Sequence, residues 1–155
     1  MKRASTIFLQ AVVVLVGIGA LAFMLWEPHM EGRNVHATFF QIYFSDPFLA
    51  WVYTTSIAFF VALYQAFTLL GRVRRNELFS QRSVAAARRI KYCALIIIVG
   101  FILPAEAYLF IVRPGDDIAG GVFMGALVGF FCVFVAAVAD IGEGVLRHQL
   151  LQTRI

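Results

Sequence analysis

The stretch GRVRRNELFSQRSVAAARRIKY, residues 71–92, carries seven Lys or Arg residues and lies between two of the most apolar runs in the chain. Such a segment is typical either of a nucleic-acid-binding arm or of a charged loop in a membrane protein. Nucleic-acid arms combine basic residues with aromatic or polar groups that read bases. Phe79 is the only aromatic residue between Arg72 and Lys91. We therefore interpret the segment as a membrane-protein loop and expect no nucleic-acid partner.

The composition supports a membrane protein. The chain has 155 residues, of which 61% are hydrophobic and 14% are charged, and its mean hydropathy is +0.84. A water-soluble fold of this length cannot bury so much apolar surface. The net charge of +4 indicates an anionic partner, and the positions of the basic residues decide in favour of a membrane surface.

Four apolar stretches reach or approach the roughly 20 residues that cross a bilayer as a helix. They lie at about 7–26, 47–70, 93–112 and 118–139. The second begins at Pro47, and proline is well tolerated in the first turn of a helix. The sequence RPGDD at 113–117 separates the third stretch from the fourth, because proline and glycine interrupt a helix. The sequence predicts an all-α, integral membrane four-helix bundle.

The basic residues are distributed unevenly between the two sides of the predicted membrane. Eleven of the 13 Lys and Arg residues fall in three segments on one side, 1–6, 71–92 and 140–155. Only Arg33 and Arg113 fall on the other. The positive-inside rule then predicts that both termini are cytoplasmic. Residues 71–92 become a basic cytoplasmic loop, residues 140–155 a cytoplasmic tail, and residues 27–46 an outer loop.

The first apolar stretch has an alternative interpretation. Lys2 and Arg3, the apolar core and the ALA sequence at 20–22 resemble a signal peptide with its cleavage site. The apolar run continues beyond this sequence through Trp26, however. We favour a retained first helix over cleavage, which would leave three spans with the basic loop still cytoplasmic.

The basic loop is predicted to contain the start of a helix. Ser80 or Ser83 is expected to cap it, because a serine oxygen accepts amide hydrogens of the first turn. The following VAAARRIKYCALIII has good helix formers and runs into the third span. The loop side chains expected to contact anionic lipid headgroups or a protein partner are Arg72, Arg74, Arg75, Phe79, Arg82, Arg88, Arg89 and Lys91.

The segment ELFSQRSVAAARRIKYCALIII, residues 77–98, resembles a pattern in the small bacterial membrane proteins grouped as domain of unknown function 2975. That family shows Phe-Ser or Phe-Thr followed by a short polar-basic helix that leads into the third of four spans. The chain departs from the pattern at Asn76–Glu77, where a glycine-containing turn is common, and at Lys91, where a small residue often lies. The resemblance implies an accessory protein of a bacterial inner membrane, and it implies no catalytic residues.

Glu106 is the one carboxylate within an apolar span, about 10 Å from its outer end by helical rise. Pro104 precedes it and is expected to disturb the helix. Tyr53, Thr54 and Thr55 lie at a similar depth on the second span, and we expect them to form a hydrogen-bonded cluster with the carboxyl group. A structural acid is favoured over a protonatable or cation-coordinating site, because transporters usually place several such groups along a path.

Other polar and small residues in the spans are typical of helix packing. Gln10 and Gln65 lie near the cytoplasmic ends of the first two spans and are predicted to form an interhelical hydrogen bond. Gly121, Gly125 and Gly129 lie on one face of the fourth span and allow a close helix approach. We favour packing on a helix of the same chain, with a homo-oligomer or a protein partner as the alternative.

No metal or cofactor is predicted. His29 and His36 are seven residues apart, which differs from the i, i+4 spacing of helical metal ligands, so a polar loop is favoured over a metal site. Cys93 and Cys132 fall inside apolar runs at different depths and are expected to be buried thiols without a disulfide. The tail GVLRHQLLQTRI, residues 144–155, is expected to lie with its leucines and Val145 on the inner membrane surface.

The motifs of common enzyme classes are missing from the sequence, including a phosphate-binding glycine loop and HExxH. We therefore expect a non-catalytic inner-membrane protein that acts through protein contacts at its basic cytoplasmic loop and tail. The alternative is a small transporter or ligand-binding membrane protein that uses Glu106. A membrane enzyme is disfavoured.

Overall fold

The computed structural model of the protein describes residues 3–30, 47–112 and 118–155, and nearly all of them are helical. The helices are α1 (Arg3–Met30), α2 (Pro47–Arg74), α3 (Gln81–Ile97), α4 (Leu103–Val112) and α5 (Ala119–Thr153), and a π-helical turn (Ile98–Ile102) joins α3 to α4. Helix α3, the π-helical turn and α4 form one continuous candidate span. Four helical stretches are thus long and apolar enough to cross a membrane, as the hydropathy pattern predicts.

Helix α2 ends in a tight turn that requires a left-handed residue. Asn76 has φ 58°, and its N–H donates to the carbonyl of Val73 at 3.2 Å. The N–H of Glu77 donates to the carbonyl of Arg72 at 2.9 Å. These two bonds form a Schellman motif, which satisfies carbonyls that the end of the helix leaves free. Asparagine tolerates the left-handed region better than most residues, so the turn forms without glycine.

Helix α3 is capped by Ser80. Its hydroxyl oxygen accepts a hydrogen bond from the N–H of Ser83 at 3.3 Å and lies 3.1 Å from the Ser83 hydroxyl. Ser83, the alternative cap, is fully buried in the first turn. The start of α3 is therefore fixed by side-chain hydrogen bonds as well as by packing.

The middle of the third span departs from α-helical geometry just before Pro104. Proline has no N–H to donate to the carbonyl four residues earlier, which is that of Gly100. The structure has a π-helical turn there, in which the N–H of Leu103 donates to the carbonyl of Ile98. The expected disturbance of the hydrogen-bond ladder is thus present as a wider turn, which is a known response to an interrupted ladder.

The helices contact one another in chain order. Helix α1 packs on α2, α2 packs on α3, and α3 packs on α5. Within the described part of the chain, α5 makes no substantial contact with α1 or α2. The arrangement is an open row with α3 at its centre, which differs from the predicted four-helix bundle, in which all helices face one core. In lipid no hydrophobic force draws α1 and α5 together, because lipid tails are as apolar as the side chains.

An apolar groove lies where α2 and α5 both pack on α3 without meeting. Its volume is about 420 Å³. It is lined by Met24 of α1, by seven residues of α2 between Val52 and Ala66, by four residues between Ile90 and Phe101, and by four residues of α5 between Val128 and Val135.

The most buried apolar cluster lies at one end of the row, where α1 begins, α2 ends, α3 begins and α5 ends; we call it the basic end. Val84, Ala87 and Leu146 form this cluster, with Leu78 and Leu150 packed against it. Helix α5 runs without interruption for 35 residues and carries residues 140–153 onto the first turns of α3. Contrary to the prediction for the tail, Leu146 and Leu150 pack on α3 instead of a membrane surface.

Candidate functional site

An ion-pair cluster joins α3 to α5 at the basic end, and Glu143 is its centre. One carboxylate oxygen, Oε1, accepts hydrogen bonds from Arg88 at 2.9 Å and from Arg147 at 2.8 Å. The other, Oε2, accepts one from Lys91 at 3.1 Å. Lys91 also donates to Asp140 at 3.0 Å. The Glu143 side chain is only 9% exposed, so three cations surround one nearly buried carboxylate.

The cluster follows from residue spacing on two adjacent helices. Arg88 and Lys91 are three residues apart on α3, and Asp140, Glu143 and Arg147 are three and four apart on α5, so each set shares one helix face. A hydrogen bond to a charged group is worth about 1.5–3 kcal/mol. Arg88 and Arg147 are about half exposed, which places their contribution near the lower value.

The pKa values of the cluster respond to these contacts. Lys91 and Glu143 lie outside the apolar runs 93–112 and 118–139. The hydrogen bond from Arg88 is the main cause that lowers the pKa of Glu143. The hydrogen bond to Asp140 is the main cause that raises the pKa of Lys91. Both shifts favour the charged forms of Lys91 and Glu143.

Two residues of the predicted contact set, Arg88 and Lys91, belong to the ion-pair cluster. The sequence predicts that Arg88 and Lys91 contact lipid or a partner, whereas in the structure both form ion pairs with acids of α5. Asp140, Glu143 and Arg147 are missed as site residues. The sequence signal that points to them is the i, i+4 pair of Glu143 and Arg147, placed in the chain where α5 continues past its apolar run.

The other cations of the predicted contact set remain available at the basic end. Four of them are exposed and form no ion pair with any residue that the structure describes: Arg74, Arg75, Arg82 and Arg89. Phe79 lies between them in the chain and is 57% exposed. Arg72 is half-buried, and its Nη1 is buried without a hydrogen-bond partner among the described residues. We call the exposed arginines and Phe79 the arginine surface.

Glu106 does not form the expected cluster. The hydroxyls of Thr54 and Thr55 donate to carbonyls one turn earlier in α2, and that of Tyr53 donates to a carbonyl of α1. Threonine can satisfy its own hydroxyl in this way within a helix. The Glu106 carboxylate instead lies against Gly125, where a Cβ atom would overlap it. It makes no hydrogen bond to a described residue.

The glycine ridge of α5 packs on a helix of the same chain, as favoured from the sequence. A Cβ atom at Gly121 would lie 3.0 Å from the Leu109 side chain, and one at Gly129 would lie 3.3 Å from Ile102. Gly125 lies between them and faces Glu106. Small residues here let α4 and the π-helical turn approach the α5 backbone closely.

The two glutamines do not contact each other. Gln10 donates from Nε2 to the carbonyl of Phe67 at 3.2 Å and lies beside Gly71. Gln65 is 8% exposed, and its side chain forms no hydrogen bond with the described residues. Gln10 therefore joins α1 to α2 through a backbone acceptor, as Tyr53 does by donating to the carbonyl of Met24.

His29 and His36 are the candidate metal ligands, and Cys93 and Cys132 are the candidate disulfide partners. The side chain of His29 and all of His36 lie outside the described part of the chain. Within that part, no three His, Cys, Asp or Glu side chains come together as a metal site. Cys93 and Cys132 are buried and carry free thiols.

The comparisons with known proteins identify the family. A family model described as "protein of unknown function (DUF2975)" matches residues 27–150, which include Glu106, the arginine surface and the ion-pair cluster. The chain belongs to this family. It is also similar to the uncharacterized membrane protein YoaS of Bacillus subtilis (strain 168), with 33% identity over 151 residues, covering 97% of this chain and 94% of the relative. No solved structure matches the chain described here. The relative's description as a membrane protein agrees with the four apolar helices.

Proposed function

We propose that the protein is a non-enzymatic accessory or regulatory protein of the bacterial inner membrane that binds an acidic protein surface. In this proposal both termini and the basic end face the cytoplasm, because most Lys and Arg residues lie there. The observation that carries the proposal is the arginine surface, which combines an exposed Phe79 with exposed arginines that form no ion pair with any described residue. Arginine and aromatic residues are enriched where proteins bind one another.

Backbone and side-chain hydrogen bonds order the segment that carries the arginine surface, and this order favours binding. The turn between α2 and α3 is held at one side by the left-handed Asn76 and at the other by the Ser80 cap. The ion pairs of Glu143 also join α3, which carries Arg82 and Arg89, to α5. A surface that is already ordered loses less conformational entropy on binding than a flexible loop.

Anionic lipid is the competing ligand for the same arginines, because each cation near a lipid headgroup is worth about 1 kcal/mol. Affinity purification in mild detergent separates the two. We expect a companion protein in constant ratio, and we expect the double variant Arg75→Glu, Arg82→Glu to lose it. The matched control is Arg3→Glu with Arg154→Glu, which changes the net charge equally but lies outside the arginine surface. If both double variants release the companion equally, or only lipid is recovered, the proposal is wrong.

A small transporter or ligand-binding protein is the second candidate, favoured by the position of Glu106. Its carboxylate lies within a span, against Gly125, without a hydrogen bond to a described residue. Ionisable groups at such depth are often functional. Glu106→Gln would then abolish a proton-dependent or cation-dependent uptake and leave the folded protein intact. A change in thermal stability with unchanged uptake would assign Glu106 a structural role.

A further inference from the structure

We propose that Glu106 is a proton-binding site, and that the bound proton controls how closely α4 packs on the glycine ridge of α5. The inference names the ligand and the moving contact of the second candidate function, and it rests on that candidate only for a role in uptake. The side chains that meet the ridge are Leu109, Glu106 and Ile102.

The Glu106 side chain lies against the α5 backbone at Gly125. A Cβ atom at Gly125 would overlap Oε1 of Glu106, and it would lie 3.0 Å from the carboxyl carbon and 3.6 Å from Cγ. Leu109 and Ile102 make the neighbouring contacts with the ridge, so apolar side chains flank the carboxyl group on both sides. The group therefore occupies the room that the missing side chain of Gly125 provides.

This contact suits a neutral carboxyl group better than a carboxylate. Glu106 forms no hydrogen bond or ion pair with a described residue. A carboxylate within a span is strongly disfavoured unless it is paired or hydrated. A protonated carboxyl group carries no charge and can itself donate a hydrogen bond. Proton binding therefore favours the packed arrangement of α4 and α5, and proton release favours one in which the carboxylate leaves Gly125 for water.

No charge among the described residues lies close enough to take the place of the proton. The π-helical turn and residues 119–139 of α5, which pack on α4, contain no acidic or basic side chain. Tyr108 of α4 is two residues from Glu106 and lies about 160° around the helix. Cys132 of α5 is two turns beyond the glycine that Glu106 contacts, about 10 Å along the helix. The Tyr53 hydroxyl of α2 donates to a carbonyl of α1.

The donor set favours a proton over a metal cation. Calcium and magnesium take six or more oxygen ligands. The other carboxylates whose side chains the structure describes are Glu77, Asp140 and Glu143, and all of them lie at the basic end. Glu106 therefore offers a cation one carboxyl group, which is sufficient for a proton.

Labelling with dicyclohexylcarbodiimide tests proton binding in the unchanged chain. The carboxyl proton moves to a carbodiimide nitrogen while the carboxyl oxygen bonds to the central carbon, and the adduct rearranges to a stable N-acylurea. The full chain in phosphatidylcholine nanodiscs is labelled between about pH 5 and pH 9, and mass spectrometry maps the adducts. We expect the main adduct at Glu106, with a rate that falls about tenfold per pH unit above its midpoint.

Three results of this labelling would overturn the inference. They are a rate at Glu106 that does not change with pH, no adduct at Glu106 in the folded protein, and protection of Glu106 by sodium ions at constant pH. The last result would identify an alkali cation as the ligand.

A cysteine pair tests the packing of α4 on α5. Leu109→Cys with Gly121→Cys, in a chain with Cys93→Ala and Cys132→Ala, forms a disulfide under an added oxidant only while the two helices are close. The matched control carries the same pair with Glu106→Gln, which has no proton to release and shows the pH dependence of the thiol chemistry alone.

We expect the crosslinking rate with Glu106, divided by the rate with Gln, to fall at least about fivefold between about pH 6 and pH 9. A ratio that does not change with pH would overturn the inference. A falling ratio in a protein that shows no proton-dependent uptake would reject the transporter candidate and leave the proton-controlled packing in place.

Discussion

The two halves of α5 are attached to the rest of the molecule by different forces. The half nearest Gly121 packs on α4 through its glycine ridge, where close backbone approach replaces side-chain interlocking. The half nearest Leu146 packs on α3 through a buried apolar cluster and through Glu143 with its three cations. In lipid, packing gains come mainly from van der Waals contact. In water, hydrophobic burial and ion pairing both contribute.

Leu146→Ala is expected to have the largest effect, because it removes the centre of the apolar cluster between α3 and α5. The loss of unfolding free energy should be about 2–5 kcal/mol, the range for truncating a buried leucine. Denaturant titration in detergent measures it. Val145→Ala is the control, since Val145 is 54% exposed, and it should change stability by less than about 0.5 kcal/mol. Equal losses would show that the α5 extension does not pack on α3.

Gly125→Ala tests the other half of α5. Its Cβ atom would overlap the Glu106 carboxylate, and the end of that flexible side chain must move aside, so we expect a loss of about 1–1.5 kcal/mol, the low end of the range for overpacking. Gly120→Ala is the matched control, because a Cβ atom there meets no other group. Combining Gly125→Ala with Glu106→Ala should recover most of the loss, which a double-mutant cycle measures. Additive losses would place the carboxylate away from Gly125.

Glu143→Gln should destabilise the protein by about 1–2 kcal/mol, because Arg88, Lys91 and Arg147 lose the carboxylate that they share. The loss stays modest because Arg88 and Arg147 are partly hydrated. Asp140→Asn should have a smaller effect, because the Asp140 side chain is 66% exposed. The pKa of Glu143 is lowered below its usual 4.5, so its contribution is present above that pH and is lost as the pH falls through the lowered pKa. The acid sensitivity of unfolding should therefore weaken in Glu143→Gln.

Asn76→Ala should have the smallest effect, a loss of about 1 kcal/mol, because alanine is strained in the left-handed conformation. Asn76→Gly should be neutral or slightly stabilising, since glycine adopts that conformation without strain. Thermal unfolding of the two variants, compared side by side, gives the difference. If both behave alike, the turn between α2 and α3 does not depend on the left-handed residue.

The parts of the fold that the sequence predicts are those set by local chemistry. Span lengths follow from apolar runs, and the Ser80 cap follows from hydrogen bonding within one helix turn. The open row and the ion-pair cluster depend on which faces of distant helices meet, and hydropathy does not encode that choice. Leu146 shows the ambiguity, because an amphipathic pattern suits a membrane surface and a helix partner equally well. The cluster expected around Glu106 shows a second ambiguity, because a threonine hydroxyl can also donate to a carbonyl of its own helix, as those of Thr54 and Thr55 do.

Site-specific photocrosslinking in cells tests the proposed role of the basic end most directly. A photoreactive amino acid replaces Phe79 in the arginine surface or Phe123, which is exposed near the start of α5 at the far end of that helix. We predict one discrete protein adduct from position 79, absent from position 123 and lost when Arg75 and Arg82 are reversed to Glu. Adducts with lipid alone at position 79, or the same protein adduct at both positions, would contradict a protein-binding surface there.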